Sequence, residues 1–253
     1  MAYLGRKGAS APLTSADIPA GSVSAVKVAS DVATQAELDA QRTNSSITTL
    51  GTVTAGNLSN SAIVYPAGHV IQTQFTQYEG FAHMSGMTSH QNVPLIIKDG
   101  TAATSLGTTG ILQVAITPKS NSKIKLECQW MGEYNAATAH DAMWTVVRSK
   151  GSTHTRLGNN TSSNSSTTNG LRGIQVAALS YHESHVGSTP ESVSFTYFDN
   201  AHTGDGTDEI IYKLAIVSGT SSITDIHTNR CQQAAYYNEE MGISNIIATE
   251  IAG

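Results

Sequence analysis

The stretch Ile124-Lys125-Leu126-Glu127-Cys128-Gln129-Trp130 alternates apolar and polar side chains at every position. Successive side chains of a β-strand point to opposite faces, so this pattern predicts a strand with one buried face and one face in water. Such strands are typical of antiparallel sheets that cover a core on one side. We therefore expect burial of Ile124, Leu126, Cys128 and Trp130, and exposure of Lys125, Glu127 and Gln129.

Similar short runs recur from residue 66 to the C-terminus, separated by segments rich in Gly, Ser, Thr, Asn and Pro. Gly204-Asp205-Gly206 lies between two of these runs and predicts a hairpin turn. Strands do not alternate with helical segments, so we expect a mainly β fold, an antiparallel, jelly-roll-like β-sandwich. Its further strands are predicted at Val70–Phe75, Leu112–Ile116, Met143–Arg148, Val193–Tyr197, Ile210–Val217 and Ile243–Ile251.

Composition agrees with a β fold and excludes several classes of function. Of the 253 residues only 13% are charged, whereas long helices usually expose many Glu, Lys and Arg. The net charge of −5 gives no basic footprint for nucleic acid. No apolar run has the length of a signal peptide or a membrane span, which predicts synthesis in a cytoplasm without membrane insertion. Cys128 and Cys231 are expected as free thiols, with a disulfide as the alternative.

The first sixty residues are not expected to form a core of their own, because their larger apolar side chains are thinly scattered. We expect an extended segment at 1–30, a neck at 31–65 and a head domain at 66–253. Within the neck, Thr34 and Glu37 form a capping box that predicts a helix of about two turns ending near Arg42. A helix this short is marginal alone, so it requires packing against copies of itself or another protein.

The sequence matches no motif that would support catalysis or metal binding. His182 and His185, with His83 and His90 elsewhere, match no ligand template, and residues three apart on a strand face opposite sides. The acidic stretch Asp205–Glu209 lacks the remaining ligand positions of a calcium loop. Because no nucleophile elbow or Cys-His signature occurs, we predict no enzymatic activity, no cofactor and no bound metal.

A tyrosine-containing stretch near the C-terminus is the candidate contact surface. Tyrosine offers contact area together with a hydroxyl group, which suits recognition of a glycan or a protein. Packing in the core is the commoner role of such tyrosines, but adjacent tyrosines on a strand face opposite sides, so one can point outward. The candidate contact residues are Gln233, Tyr236, Tyr237 and Asn238.

Several segments resemble the C-terminal domain of tail-fibre-like proteins of bacteriophages, especially marine and cyanobacterial phages. They are Pro66–Gln72, Ile116–Ile124 with its "ITPxSxxSKI" pattern, Val193–Asp199 with Ile211–Leu214, and the terminus Ser244–Gly253. The segments occur in the family's order from residue 66 to residue 253. The chain departs from the family pattern at Asn245, at Ala248-Thr249 and in the His-containing segment Phe81–Gln91.

The resemblance implies a homotrimeric fibre or spike of a virion, with a distal β-domain that contacts a glycan or protein of the host surface. Ala2–Gly5 and Thr14–Val28 are similar to the openings of virion proteins in such phages. This similarity implies that the N-terminal segment binds other virion proteins of the tail or capsid. The anchoring residues would be Tyr3, Leu4, Arg6, Lys7, Leu13 and Ile18.

Two other functions are compatible with this sequence. The chain could instead form a capsid-surface spike, a head fibre or a cement protein that decorates the shell, since these also require an anchor, a neck and a stable head. A carbohydrate-binding module is the third possibility. A module of that kind would be a monomer without the scattered N-terminal leader.

Overall fold

The computed structural model describes residues 64–87, 93–134, 142–158, 173–177, 190–218, 223–232 and 240–253. All of them belong to the compact unit that spans residues 59–253. The predicted extended segment, the neck and its helix at Thr34–Arg42 lie outside the described residues. Among the described residues, no helix has the length and apolar character needed to cross a membrane.

The described chain is mainly β and forms two sheets. Sheet A follows the order β1-β13-β6-β12-β2-β4, and β10 also pairs with β6. Sheet B follows the order β3-β11-β7-β8, with β5 paired to β11 and β9 paired to β7. The strands are β1 (Val70–Tyr78), β2 (Ala82–Ser85), β3 (Leu95–Ile96), β4 (Gly100–Thr101), β5 (Gln113–Ile116), β6 (Lys123–Tyr134), β7 (Ala142–Lys150), β8 (Thr153–Arg156), β9 (Gln175–Val176), β10 (Glu191–Asp199), β11 (Ile210–Ser218), β12 (Ile226–Thr228) and β13 (Ser244–Ile251).

The alternation predicted for β6 is confirmed. Its apolar side chains, Ile124, Leu126, Cys128 and Trp130, are buried in a core to which both sheets contribute. Gln129 is exposed on the opposite side, and Lys125 and Glu127 are half-buried there and joined by an ion pair of 2.9 Å. The stretch 124–130, for which we predicted one solvent-facing side and one buried side, therefore lies in β6, between β10 and β13 of sheet A.

Aromatic side chains link the two sheets in the middle of the core. Trp130 of β6 lies 4.8 Å from Trp144 of β7, measured between ring centroids. The indole of Trp144 donates to the hydroxyl of Tyr134 at 2.7 Å, and that of Trp130 donates to Thr228 Oγ1 at 3.1 Å. These large side chains are thus buried with their donors satisfied, as a stable core requires.

The segment 200–209 corrects the predicted hairpin. β10 pairs with β6 in sheet A and β11 pairs with β7 in sheet B, so this connection crosses between sheets instead of joining paired neighbours. Asp205 Oδ1 accepts bonds from the backbone N–H groups of Thr207 and Asp208 and shapes a local turn. Gly206, with a φ of +88°, fits this turn because glycine tolerates the left-handed region.

A polar cluster holds the two sheets together where the crossing begins. Arg148 Nη1 of β7 donates to both carboxylate oxygens of Asp199 at 2.9 and 2.8 Å. The hydroxyl of Tyr212 on β11 donates to the same carboxylate at 3.0 Å. Burial raises the pKa of Tyr212, and the charge of Asp199 raises it further. The hydroxyl therefore remains a donor that ties β11 to β10.

The cysteines are both buried and form no disulfide, so the disulfide alternative is wrong. Cys128 lies on β6 and faces the core, where burial raises the pKa of its thiol. Cys231 follows β12, and its thiol contacts the carbonyl oxygen of Glu240 at 3.6 Å. Buried thiols without a depressed pKa are chemically inert, so Cys128 acts as a small apolar core residue.

The chain enters and leaves the described domain at the same end, which we call the basal end. Gly68 N donates to the carbonyl of Ala252, and Ala252 N donates to the carbonyl of His69, each at 2.8 Å. Glu250 is buried beside them and accepts bonds from Lys119 N and Gln72 Nε2 at 2.6 and 2.7 Å. β1 begins at this end and runs towards the opposite, far end, where β6 finishes at Tyr134 and β13 starts at Ser244.

Candidate interaction surfaces

The outer face of sheet A, the side turned away from the core, carries uncovered apolar side chains. Phe75, Ile247, Glu127 and Thr196 form one row across β1, β13, β6 and β10. The neighbouring row contains Thr73, Thr249, Lys125 and Phe198. Phe75 is 70% exposed and Phe198 is 48% exposed. Apart from the Lys125–Glu127 ion pair, the two rows are neutral.

Exposed large apolar residues concentrate around this sheet. Among the described residues, all of them except Val64 and Val176 lie on strands of sheet A or within three residues of one: Val70, Phe75, Phe81, Phe198, Met241 and Ile243. Phe75 and Phe198 lie on β1 and β10, with β13 and β6 between them, so they are separate exposed apolar residues on one face. Large exposed apolar side chains that share a face favour a contact with another molecule. The outer face of sheet A is therefore the first candidate surface.

The outer face of sheet B differs because the chain itself covers part of it. Ile96, Val147 and Ala215 are buried there in a small second cluster, against which Leu106 packs. The ammonium group of Lys213 donates to the carbonyl of Leu106 at 3.2 Å and helps to hold this covering segment. This contrast makes sheet A the more exposed layer among the described residues.

Titratable side chains meet at the far end of sheet A. His83 of β2, His227 of β12 and Glu133 of β6 lie opposite one another in register. The two imidazole rings stack with centroids 4.3 Å apart, and His83 Nε2 lies 3.0 Å from Asp225 Oδ1. Glu133 Oε2 accepts a bond from the backbone N–H of Gln232 at 2.7 Å.

The buried members of this end have shifted proton affinities. Burial, together with the positive charges of His83 and Arg230, lowers the pKa of His227 to about 4. Burial and the neighbouring carboxylate of Glu133 raise the pKa of Glu191 to about 8, although its bond from the backbone N–H of Tyr134 acts in the opposite direction. Near neutral pH His227 is therefore uncharged, and most of Glu191 is protonated.

Within the described ranges, no group of three or more His, Cys, Asp or Glu side chains is placed to hold a metal ion. His90, His182 and His185, which the sequence analysis weighed as ligands, lie outside those ranges. The pairing of His83 with His227 was not anticipated, because it depends on the register of two short strands that have no periodic signal.

The predicted contact residues Gln233, Tyr236, Tyr237 and Asn238 lie outside the described residues, as do the anchoring residues Tyr3, Leu4, Arg6, Lys7, Leu13 and Ile18. Gln232 and Glu240, which flank the contact segment, are described. They lie at the far end, since Gln232 bonds to Glu133 and Glu240 contacts Cys231. The segment that carries the predicted contacts thus starts and finishes opposite the basal end.

Sequence reasoning did not identify the outer face of sheet A. Phe75 is the large apolar residue in Gln72-Thr73-Gln74-Phe75-Thr76-Gln77, and a solitary Phe among polar residues suggests burial of its own side of the strand. On the other side of β1 the half-buried Tyr78 packs against the core, whereas Gln74 is exposed. The sequence signal for this surface was Phe75 itself, which shares its side of the edge strand β1 with Thr73 and Gln77.

Comparison with known proteins gives no family. No family model matches the chain. A search of curated proteins also finds no relative.

Proposed function

We propose that the chain is a non-enzymatic structural protein of a phage virion, a homotrimeric tail fibre or spike whose head contacts the host surface. The observation that carries this proposal is the exposed, nearly neutral apolar outer face of sheet A. In the proposal the head is a jelly-roll-like sandwich, and the short helix at Thr34–Arg42 forms part of the trimeric neck.

A second copy of the chain is the occupant that suits this face best. Every copy brings the same surface, so rotationally related copies can bury Phe75 and Phe198 together. The flanking Thr side chains and the internally paired Lys125 and Glu127 leave little charge to desolvate. Association of copies also gives the two-turn neck helix the packing partners that it lacks alone.

The ends of the head support the proposed polarity. The first described strand, β1, begins at the basal end. The segment with Gln233, Tyr236, Tyr237 and Asn238 is bounded by residues of the far end. An N-terminal segment bound to virion proteins would therefore direct the far end towards a glycan or protein of the host.

Light scattering on the purified full chain tests the trimer. A homotrimer has three times the chain mass of 26.5 kDa. A folded monomer at micromolar concentration would overturn the proposal. Locating the head in a density map of the virus particle then distinguishes a tail fibre from a capsid-surface spike or cement protein, and its absence from particles would exclude all three.

A further inference from the structure

A polar cleft lies on the outer face of sheet B, at the basal side of the covering segment. Its floor is formed by β7 and β11, where Ile211 lies opposite Ser149. Gly107 borders one side and the turn between β7 and β8, at Gly151, borders another. The cleft has a volume of about 650 Å³. Sites for small ligands typically have volumes of about 300–1,000 Å³.

The charge of Lys213, on the floor of the cleft, is balanced by no ion pair among the described residues. Lys213 is 4% exposed, and among the described residues its ammonium group donates to one carbonyl oxygen, that of Leu106 at 3.2 Å. No carboxylate of a described residue forms an ion pair with it, and burial lowers its pKa. An ammonium group has three N–H donors, and burying a cation without an anionic partner is unfavourable. The ammonium group of Lys213 can therefore donate to a further acceptor in the cleft.

Ser149 and His154 line the same cleft as Lys213 and add polar groups to it. Ser149 is buried, and its hydroxyl lies 2.9 Å from His154 Nδ1. The hydroxyl is held by the imidazole and can still contribute a further hydrogen bond, since a hydroxyl has one donor and two acceptor sites. These groups suit a ligand oxygen that lies next to Lys213.

The rim of the cleft has the opposite character. Lys150 is already neutralised, because its ammonium lies 3.0 Å from Asp208 Oδ2 and donates to the carbonyl of Thr203 at 2.7 Å. Asp208 and Glu209 are exposed carboxylates at this rim. The Lys150–Asp208 pair has no net charge, so the charge of Glu209 is the one that disfavours a compact, multiply charged anion, while both carboxylates can accept bonds from hydroxyl groups. Among the described residues, the cleft thus combines a cation without an ion-pair partner at its floor with hydroxyl acceptors at its rim.

We infer that this cleft binds an acidic monosaccharide, with the single carboxylate on Lys213 and the ring hydroxyls towards Asp208 and Glu209. A uronic acid has this chemistry, since one charge is carried on a hydroxyl-rich body. A phosphate ion lacks the hydroxyl-rich body and carries more charge than the rim favours. The inference does not depend on the virion function, because it concerns the chain's own binding properties.

Titration of the full chain with sodium D-glucuronate, D-glucose and inorganic phosphate tests this site. Glucose has a hydroxymethyl group where glucuronate has its carboxylate, so it isolates the contribution of the charge. We expect glucuronate to bind at least about tenfold more tightly than glucose, because charge-assisted hydrogen bonds are the stronger ones. We expect a similar margin over phosphate, because phosphate has no ring hydroxyl groups for the rim and carries more charge. Calorimetry or saturation-transfer NMR provides the measurement.

Two variants assign the binding to Lys213. Lys213→Met removes the ammonium but keeps an apolar stem, and we expect it to weaken glucuronate binding about tenfold or more. Lys98→Met is the matched control, because the ammonium of Lys98 bonds to the carbonyls of Asp99 and Thr101, outside the cleft. The control should bind as the unmodified chain does.

A measurement on the unmodified chain keeps the proposal testable if Lys213→Met fails to fold. The imidazole proton signal of His154 should shift on addition of glucuronate, and melting curves will establish whether both variants fold. Absence of binding, equal binding of glucose or phosphate, an unmoved His154 signal, or equal losses in the two variants would each overturn the assignment. Failure of the trimer or particle experiments leaves these outcomes unaffected, so the two proposals fail separately.

Discussion

At the scale of single residues, the side to which a strand residue points determines what its replacement costs. On β6 Leu126 is fully buried, whereas Lys125 is half-buried on the opposite face and paired with Glu127. We expect Leu126→Ala to lower the free energy of unfolding by about 2–5 kcal/mol, because it removes buried apolar surface and leaves a cavity. Lys125→Ala should change it by about 0.5 kcal/mol or less, since exposed ion pairs contribute little. Urea denaturation measures both, and equal costs would contradict the register of β6.

The raised pKa of Glu191 predicts that the stability of the fold depends on pH. Its pKa of about 8 in the folded chain exceeds the ordinary value of 4.5. Below pH 4.5 both states hold the proton; between pH 4.5 and 8 the unfolded chain releases it first, so this group's contribution to stability declines as pH rises. Glu191→Gln cannot lose a proton. We therefore expect the variant to gain on the order of 1–3 kcal/mol relative to the unmodified chain between pH 4.5 and 8.

Chemical denaturation across this pH range measures that gain, with Ser192→Ala on the same strand as the control. His227 has the opposite effect, because its pKa of about 4 lies below the ordinary 6.5. Its contribution is complete above pH 6.5 and is lost as pH falls towards 4. The difference between Glu191→Gln and the unmodified chain isolates Glu191. A difference that stays constant with pH would show that Glu191 ionises normally.

At the scale of elements, the longer strands were predictable and the shortest were not. β6 and β11 have enough residues for an apolar pattern to emerge, and the predicted runs at 124–130 and 210–217 lie within them. β3, β4 and β9 have two residues each, which is too few for any periodicity. The hairpin at 204–206 failed for a different reason. A hydrophobic pattern shows which face of a strand is buried, but not which sheet the strand joins.

The outer face of sheet A yields a prediction about association. Phe75→Ser should weaken self-association about tenfold or more, because a large exposed apolar anchor is lost from the proposed contact. Its effect on the unfolding of the isolated head should stay within about 0.5 kcal/mol, since the side chain is already in water there. Sedimentation equilibrium at several concentrations provides the measurement.

Val176→Ser is the matched control for Phe75→Ser. Val176 is also an exposed apolar strand residue, 55% accessible, but it lies on β9 of sheet B. We expect its replacement to leave self-association unchanged. Equal effects of the two substitutions would mean that sheet A has no special role in assembly.

At the scale of the whole molecule, the described strands and the described core residues all lie within the unit 59–253. We expect deletion of Met1–Ser30 to leave a folded head with the thermal midpoint of the full chain, but to prevent incorporation into particles. Calorimetry and immunoblots of purified particles measure the two outcomes. Normal incorporation of the truncated chain would exclude the N-terminal segment as the anchor.

The common basal position of the two ends of the domain governs how it would bear mechanical force. β1 is an edge strand of sheet A that pairs with β13 along its length. Tension between the N-terminal segment and a bound far end would run along β1. Because ladder bonds are perpendicular to the strands, such tension shears them together. Tension between the two termini would instead peel β1 from β13 one bond at a time. The head should therefore rupture at higher force along β1, the direction of load in the proposed fibre, than between its termini.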